Sequence, residues 1–227
     1  MARHRLHAGR MEGRGVTRRR LLSVGACALC AAGIGARSWW LGEHGPQKPP
    51  EQRHSMGEWV SLEGAFLQTR LKEKTQGYSV RVTGAEVLSY NEFVAMYSND
   101  ESEPIEGLDE KSIVCVALNL KNEGSDGFLA VGVMYLVPAR RNEFFISDNE
   151  LLVSTEEKMR SGNNPGLSVN IRQGTEYTIH LAYVHQGGTT DYEGQQIQEA
   201  YLEPIEDRSF ELVVANSPIR HVIEVQA

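Results

Sequence analysis

A chain of 227 residues, 41% hydrophobic and 23% charged, has room for one well-cored domain, and its composition excludes both wholesale disorder and a polytopic membrane protein. The formal net charge of -7 conceals an asymmetry: residues 1–20 carry seven arginines against the single acid Glu12, while the remainder sets 16 basic side chains against 29 acidic ones. An acidic body argues against nucleic acid as a partner, because phosphate recognition needs a basic face that releases counterions.

The first element is an address. Arg18-Arg19-Arg20 is followed by sixteen uncharged residues, Leu21 to Ala36, in the charged-then-apolar order of an export signal. As a helix this run spans about 24 Å, short of a ~30 Å hydrocarbon core. Ile34-Gly35-Ala36 suits cleavage near Ala36. Trp39 and Trp40, beyond Arg37, suit instead a retained anchor over residues 21–41, with the basic segment 1–20 held in the cytoplasm. Thr17 to Leu22 also resembles a twin-arginine export signal. The expectation is an exported chain, either membrane-anchored through this signal helix with its domain extracytoplasmic or secreted after cleavage. Cys27 and Cys30 form a C-x-x-C inside the apolar run, where no charge could tune a thiolate, and read as small apolar fillers. Val24-Gly25-Ala26-Cys27 loosely matches a lipidation box, but the apolar stretch before Cys27 is short for one. Cys115 is then alone in the exported domain, which is expected to hold without an internal disulfide.

Gly42 to Gly57, with Pro46, Pro49 and Pro50, has no apolar periodicity and reads as a spacer. The domain is expected over residues 58–227. Tyr78 to Thr83 alternates as a half-exposed strand, and Ser112–Leu120 and Phe128–Val137 are apolar on both faces, as central strands are. The turn-forming residues Asn122 to Gly127 between those two runs predict an antiparallel hairpin. Thr175–Val184, Ser209–Val214 and His221–Val225 complete the strands. Ser89-Tyr90-Asn91-Glu92 is a capping box with Phe93, Met96 and Tyr97 following at helical spacing, so one short helix is expected there. Asp191 to Leu202 reads as a second helix or an exposed insertion. The fold class expected is mainly β: an antiparallel immunoglobulin-like β-sandwich with one or two short helices.

Lys111-Ser112-Ile113-Val114-Cys115-Val116-Ala117-Leu118-Asn119-Leu120-Lys121-Asn122-Glu123-Gly124, followed by the Gln173-Gly174-Thr175 turn and its apolar strand, resembles the telokin-like, immunoglobulin-like extracellular domains of uncharacterised bacterial envelope proteins. The resemblance covers residues 78–225. It implies a β-sandwich displayed at the cell surface, with no known activity.

No catalytic residue, cofactor-binding residue or metal ligand is assigned from the sequence. There is no G-x-S-x-G, and no glycine-rich loop is followed by Lys-Ser/Thr and a helix. His180, His185 and His221 belong to the fold, while His54 falls in the spacer. His180 and His185 lie on opposite faces of one strand and read as ordinary strand histidines. The acids from Asp100 to Glu110 lack EF-hand spacing, and Pro104 stiffens them into a solvated connection. Trp59, Tyr90, Phe93 and Tyr97 cluster early; the last three read as core, and Trp59 is the freer ligand candidate. The function expected is a non-catalytic binding or interaction domain whose partner is the membrane through the N-terminal helix and an envelope protein or a second copy. The alternatives are an envelope enzyme with a loop-built site and a calcium-stabilised adhesive module.

Overall fold

The computed structural model describes residues 48–68, 73–99, 104–139, 143–155, 168–192 and 195–227. The segment expected to direct export, with Cys27 and Cys30, and Asp100–Glu103 lie outside the described residues. Pro49–Ala227 forms one compact unit. All its buried apolar side chains among the described residues come from Val60 to Val225, so the unit carries its own core.

The unit is mainly β, built on one large and mostly antiparallel sheet. Its centre is three long strands, β3 (Tyr78–Ser89), β4 (Lys111–Asn122) and β7 (Thr175–His185), with β4 antiparallel to both neighbours. The double-sided apolarity of β4 has a simple cause. Val114, Val116, Leu118 and Leu120 face the main core, whereas Ile113 and Cys115 face a second core to which two helices contribute Phe93, Val94 and Leu151 and the segment near the end of the chain adds Ile197, Ala200 and Tyr201. Beyond Cys115 the outer positions become Ala117, Asn119 and Lys121, where no helix covers them.

The remaining strands are β1 (Glu51–Ser55), β2 (Val60–Ser61), β5 (Tyr135–Pro138), β6 (Phe145–Ser147), β10 (Ser209–Ala215) and β11 (Arg220–Gln226). They extend the sheet to nine strands in the order β1-β11-β10-β5-β6-β7-β4-β3-β2. Strands β1 and β2 end that order on opposite sides yet are consecutive in sequence, so Met56–Trp59 joins the two edges. Gly57 N–H donates to the Val82 carbonyl at 2.9 Å, and Phe66 N–H to the Ser217 carbonyl at 2.8 Å. The sheet therefore curls into a barrel-like shape, and hydrogen bonding is continuous where two separate layers were expected.

The helix α1 (Tyr90–Tyr97) forms where the capping box places it: Ser89 Oγ accepts from Glu92 N–H at 3.1 Å, and Glu92 returns a bond to Ser89 N–H at 2.8 Å. The second helix is α2 (Asn149–Thr155), not the Asp191–Leu202 segment. Its cap is Asp148, whose Oδ1 accepts from the N–H groups of Glu150 and Leu151. Asp191–Leu202 is instead the last part of a hairpin, β8 (Thr189–Tyr192) with β9 (Gln195–Gln198), and a 3-10 turn over Glu199–Leu202.

Two further expectations are corrected. The predicted hairpin of 112–120 with 128–137 does not form. Residues 128–137 bend through a 3-10 turn at Val131–Val133, and only Tyr135–Pro138 is a strand, paired with β6 and β10. The run is apolar because Leu129, Val131, Met134 and Leu136 all enter the main core while the chain turns, not because it is a central strand. The spacer, expected to reach Gly57, ends earlier, since Glu51–Ser55 pairs in parallel with β11. Four of its five side chains are exposed, so this strand has no apolar alternation to reveal it and is joined to the sheet by backbone pairing.

Candidate functional site

Strands β5 and β6 alternate as strands must. Leu136 and Phe145 point into the core, and Tyr135, Val137 and Ile146 lie on the opposite face. On the outer face of β4 the corresponding positions are either covered by helices, as Ile113 and Cys115 are, or small or polar, as Ala117, Asn119 and Lys121 are. On β5-β6 they are apolar and uncovered, with Phe144 49% and Ile146 38% exposed. Together with Gly132, Val133 and Met134 they line a cleft of about 910 Å³. Tyr135 and Phe144 meet edge to face at 6.4 Å between ring centres, and the Tyr135 hydroxyl reaches Asn216 Oδ1 at 3.2 Å. That bond holds the phenol ring in place as part of the wall.

The polar groups of the cleft are few. Glu143, Ser147 and Asn149 also line it. Ser147 is only 6% exposed. Its Oγ and the Oδ1 of Asn149 are buried with no hydrogen-bond partner. Native proteins rarely leave such atoms unmet. A mostly apolar concavity lined by few polar groups has the character of a binding cleft. The sequence concealed it because Phe128–Val137 reads as a central strand, and Phe144 and Ile146 lie just before and within a strand of three residues, too short to show a period.

The residues singled out from sequence are scattered. His180 stacks on Tyr97 with ring centres 4.3 Å apart, and Tyr97 donates to Glu86 Oε1 at 2.6 Å. Burial lowers the His180 pKa against the opposing pull of Glu86. Cys115 lies beside this pair as a buried free thiol, pushed up to about 12 by burial and then by Glu86. A thiol so held is protonated at neutral pH and is no nucleophile. His185 packs on Phe145. His54 belongs to β1, not to a spacer, and its Nε2 lies 3.2 Å from Nδ1 of the buried His221. Burial, then His54, lowers the His221 pKa.

Phe93 is core, as expected, while Met96 is 57% exposed. The Trp59 ring has the Arg81 guanidinium 4.4 Å from its centre, so one of its faces is occupied. From the acid cluster, Asp109 and the Ile105 backbone are tied to Asn91. Among the described residues no group of three or more His, Cys, Asp or Glu side chains is placed to hold a metal ion, and no helix is long and apolar enough to cross a membrane.

These features define a class: a mainly β domain whose large sheet closes on itself and, among the described residues, carries an apolar cleft on the outer face of β5 and β6. The chain belongs to the DUF5028 family, a domain of unknown function, whose model matches residues 51–221. No curated protein and no solved structure matches it.

Proposed function

We propose that the chain is exported, is held at the membrane by residues 21–41, and uses its β domain as a non-catalytic binding module of the cell envelope. The observation that carries the binding reading is the β5-β6 cleft, where, among the described residues, the large apolar side chains of Phe144 and Ile146 stay in water. Export is supported by Arg18-Arg19-Arg20 and the uncharged run after it. An immunoglobulin-like relationship belongs to the same proposal, supported by the antiparallel strands that enclose a common core.

Two measurements test it. Mass spectrometry of the N-terminus after fractionation should find an intact chain with the membranes; a soluble chain beginning near Arg37 would refute the anchor. Residues 49–227 titrated with N-phenyl-1-naphthylamine, a dye that brightens in dry sites, should bind it saturably. Ile146→Glu should abolish that binding while leaving the unfolding transition in place, because Ile146 is on the surface. Equal binding by the variant would remove the cleft as the site.

A further inference from the structure

The edge strand β1 is held to the domain by its ladder with β11, by exposed ion pairs and by the one side chain it does not leave in water, His54. Nε2 of His54 lies 3.2 Å from Nδ1 of His221 on β11, and Nδ1 of His54 lies 3.4 Å from Glu58 Oε1. We infer that β1 is a strap released by acid: the imidazole pair fastens it to β11 while one N–H lies between the two rings, and protonation of the pair unfastens it.

A neutral imidazole offers one donor and one acceptor, and an imidazolium offers two donors. Two neutral rings, or one neutral and one charged, can share the bond. Two charged rings cannot, because N–H would then face N–H. A single charge on His54 has Glu58 beside it, but on His221, only 4% exposed, the charge would be buried. Burial, then His54, accordingly lowers the His221 pKa. The docked strap therefore has its full contribution above the ordinary histidine value of about 6.5 and loses it as pH falls.

The other charged groups on the elements around the pair are engaged elsewhere. Arg53 pairs with Glu51, Glu211 and Glu224, and Arg220 pairs with Glu51. On β3, Arg81 lies over the Trp59 ring and Glu86 accepts from Tyr97. Carboxylic acids ordinarily titrate about two units below histidine, so a change confined to about pH 7.5 to 5.5 isolates the imidazoles. What yields is the strand and not the core, because β1 is an edge and none of its residues belongs to either apolar cluster. Its departure leaves β11 as the edge of the sheet, with one side of its ladder open to another strand.

Hydrogen exchange read by mass spectrometry on residues 49–227, corrected for the intrinsic effect of pH, tests the strap. Between about pH 7.5 and 5.5 the amides of β1 should lose about tenfold in protection, since one unit below 6.5 a parted imidazole is about tenfold more protonated than neutral and the docked His221 refuses that proton. Strand β4 should keep its protection. The double variant His54→Gln, His221→Gln, whose amides can still bond to each other but cannot titrate, should protect β1 equally at both pH values, with β4 reporting that the domain is folded. Loss of protection by β1 and β4 together in wild type would make the pair a determinant of the whole domain and overturn the strap. So would a wild-type β1 equally protected at both pH values, or a folded double variant that opens as wild type does.

Discussion

Asn122 is the side chain on which one end of the barrel turns, and replacing it with aspartate tests the packing argument at a single atom. It is fully buried at the end of β4. Its Nδ2 donates to the carbonyls of Ser125 at 2.9 Å and Ile171 at 2.7 Å, and its Oδ1 accepts from Gly124 N–H at 3.0 Å and Ser125 N–H at 2.7 Å. One amide thus closes the turn after β4 and ties it to the segment that leads into β7. Asn122→Asp keeps the two accepted bonds and loses the two donated ones, about 1 kcal/mol each. It also sets a carboxylate oxygen against two carbonyls in a buried site, which adds a penalty of about 1–3 kcal/mol. A total of about 3–5 kcal/mol should lower Tm by about 10 °C in a domain of this size.

The pH dependence separates this account from a general loss of packing. A carboxyl facing carbonyl oxygens is easier to protonate in the folded than in the unfolded state, so its folded pKa lies above the ordinary value of about 3.9. The deficit of the variant relative to wild type should then shrink as pH falls from 7 towards 4, since the protonated acid can donate again. Denaturant unfolding of both proteins across that range is the assay. A deficit below about 1 kcal/mol, or one constant with pH, refutes the assignment of the four bonds.

The other predictions address the close approach, the histidines and the thiol. A Cβ at Gly127 would lie 2.2 Å from Lys74 Cβ and 2.9 Å from its carbonyl oxygen, so Gly127→Ala should cost about 1–3 kcal/mol by calorimetry; a neutral result would show that the two segments can separate freely. Burial lowers the pKa of both His180 and His221, so the unfolded state takes up protons more readily than the folded one. Their contribution is complete above the ordinary histidine value of about 6.5 and is lost as pH falls through the lowered folded values. Denaturation midpoints should therefore drop as pH falls below about 6.5, with a shallower slope in His221→Phe; an identical slope would remove His221 as a source. Cys115, buried and raised to about 12, is the single cysteine of residues 49–227, so that domain should react with Ellman's reagent only as it unfolds, and prompt reaction of the folded domain would contradict the burial.

How much was legible follows from what each element needed. The long strands and α1 were readable because their signals are local: periods that run for several residues, and a capping box at Ser89 and Glu92. The helix α2 carried a comparable signal, Asp148-Asn149-Glu150 ahead of Leu151 and Leu152, that passed unread because the segment is short. Strand β1 could not be read, since it is held by backbone pairing and all of its side chains but that of His54 are exposed. Residues 128–137 misled because hydrophobicity reports burial and not direction. A bend through a 3-10 turn buries as much apolar surface as a central strand. The cleft was hidden for a related reason: its walls come from β5, β6 and the turn before β5, segments whose proximity depends on the pairing order of the sheet.

The most direct test of the central claim places a photo-crosslinking amino acid at Ile146 of the full chain in its native cells, with the same substitution at the exposed Glu176 on β7 as the control. Intact-mass analysis after irradiation reads the result. The account predicts a discrete added mass from position 146 and none from position 176. Unmodified protein at both positions, or the same adducts at both, would contradict a binding role for the cleft.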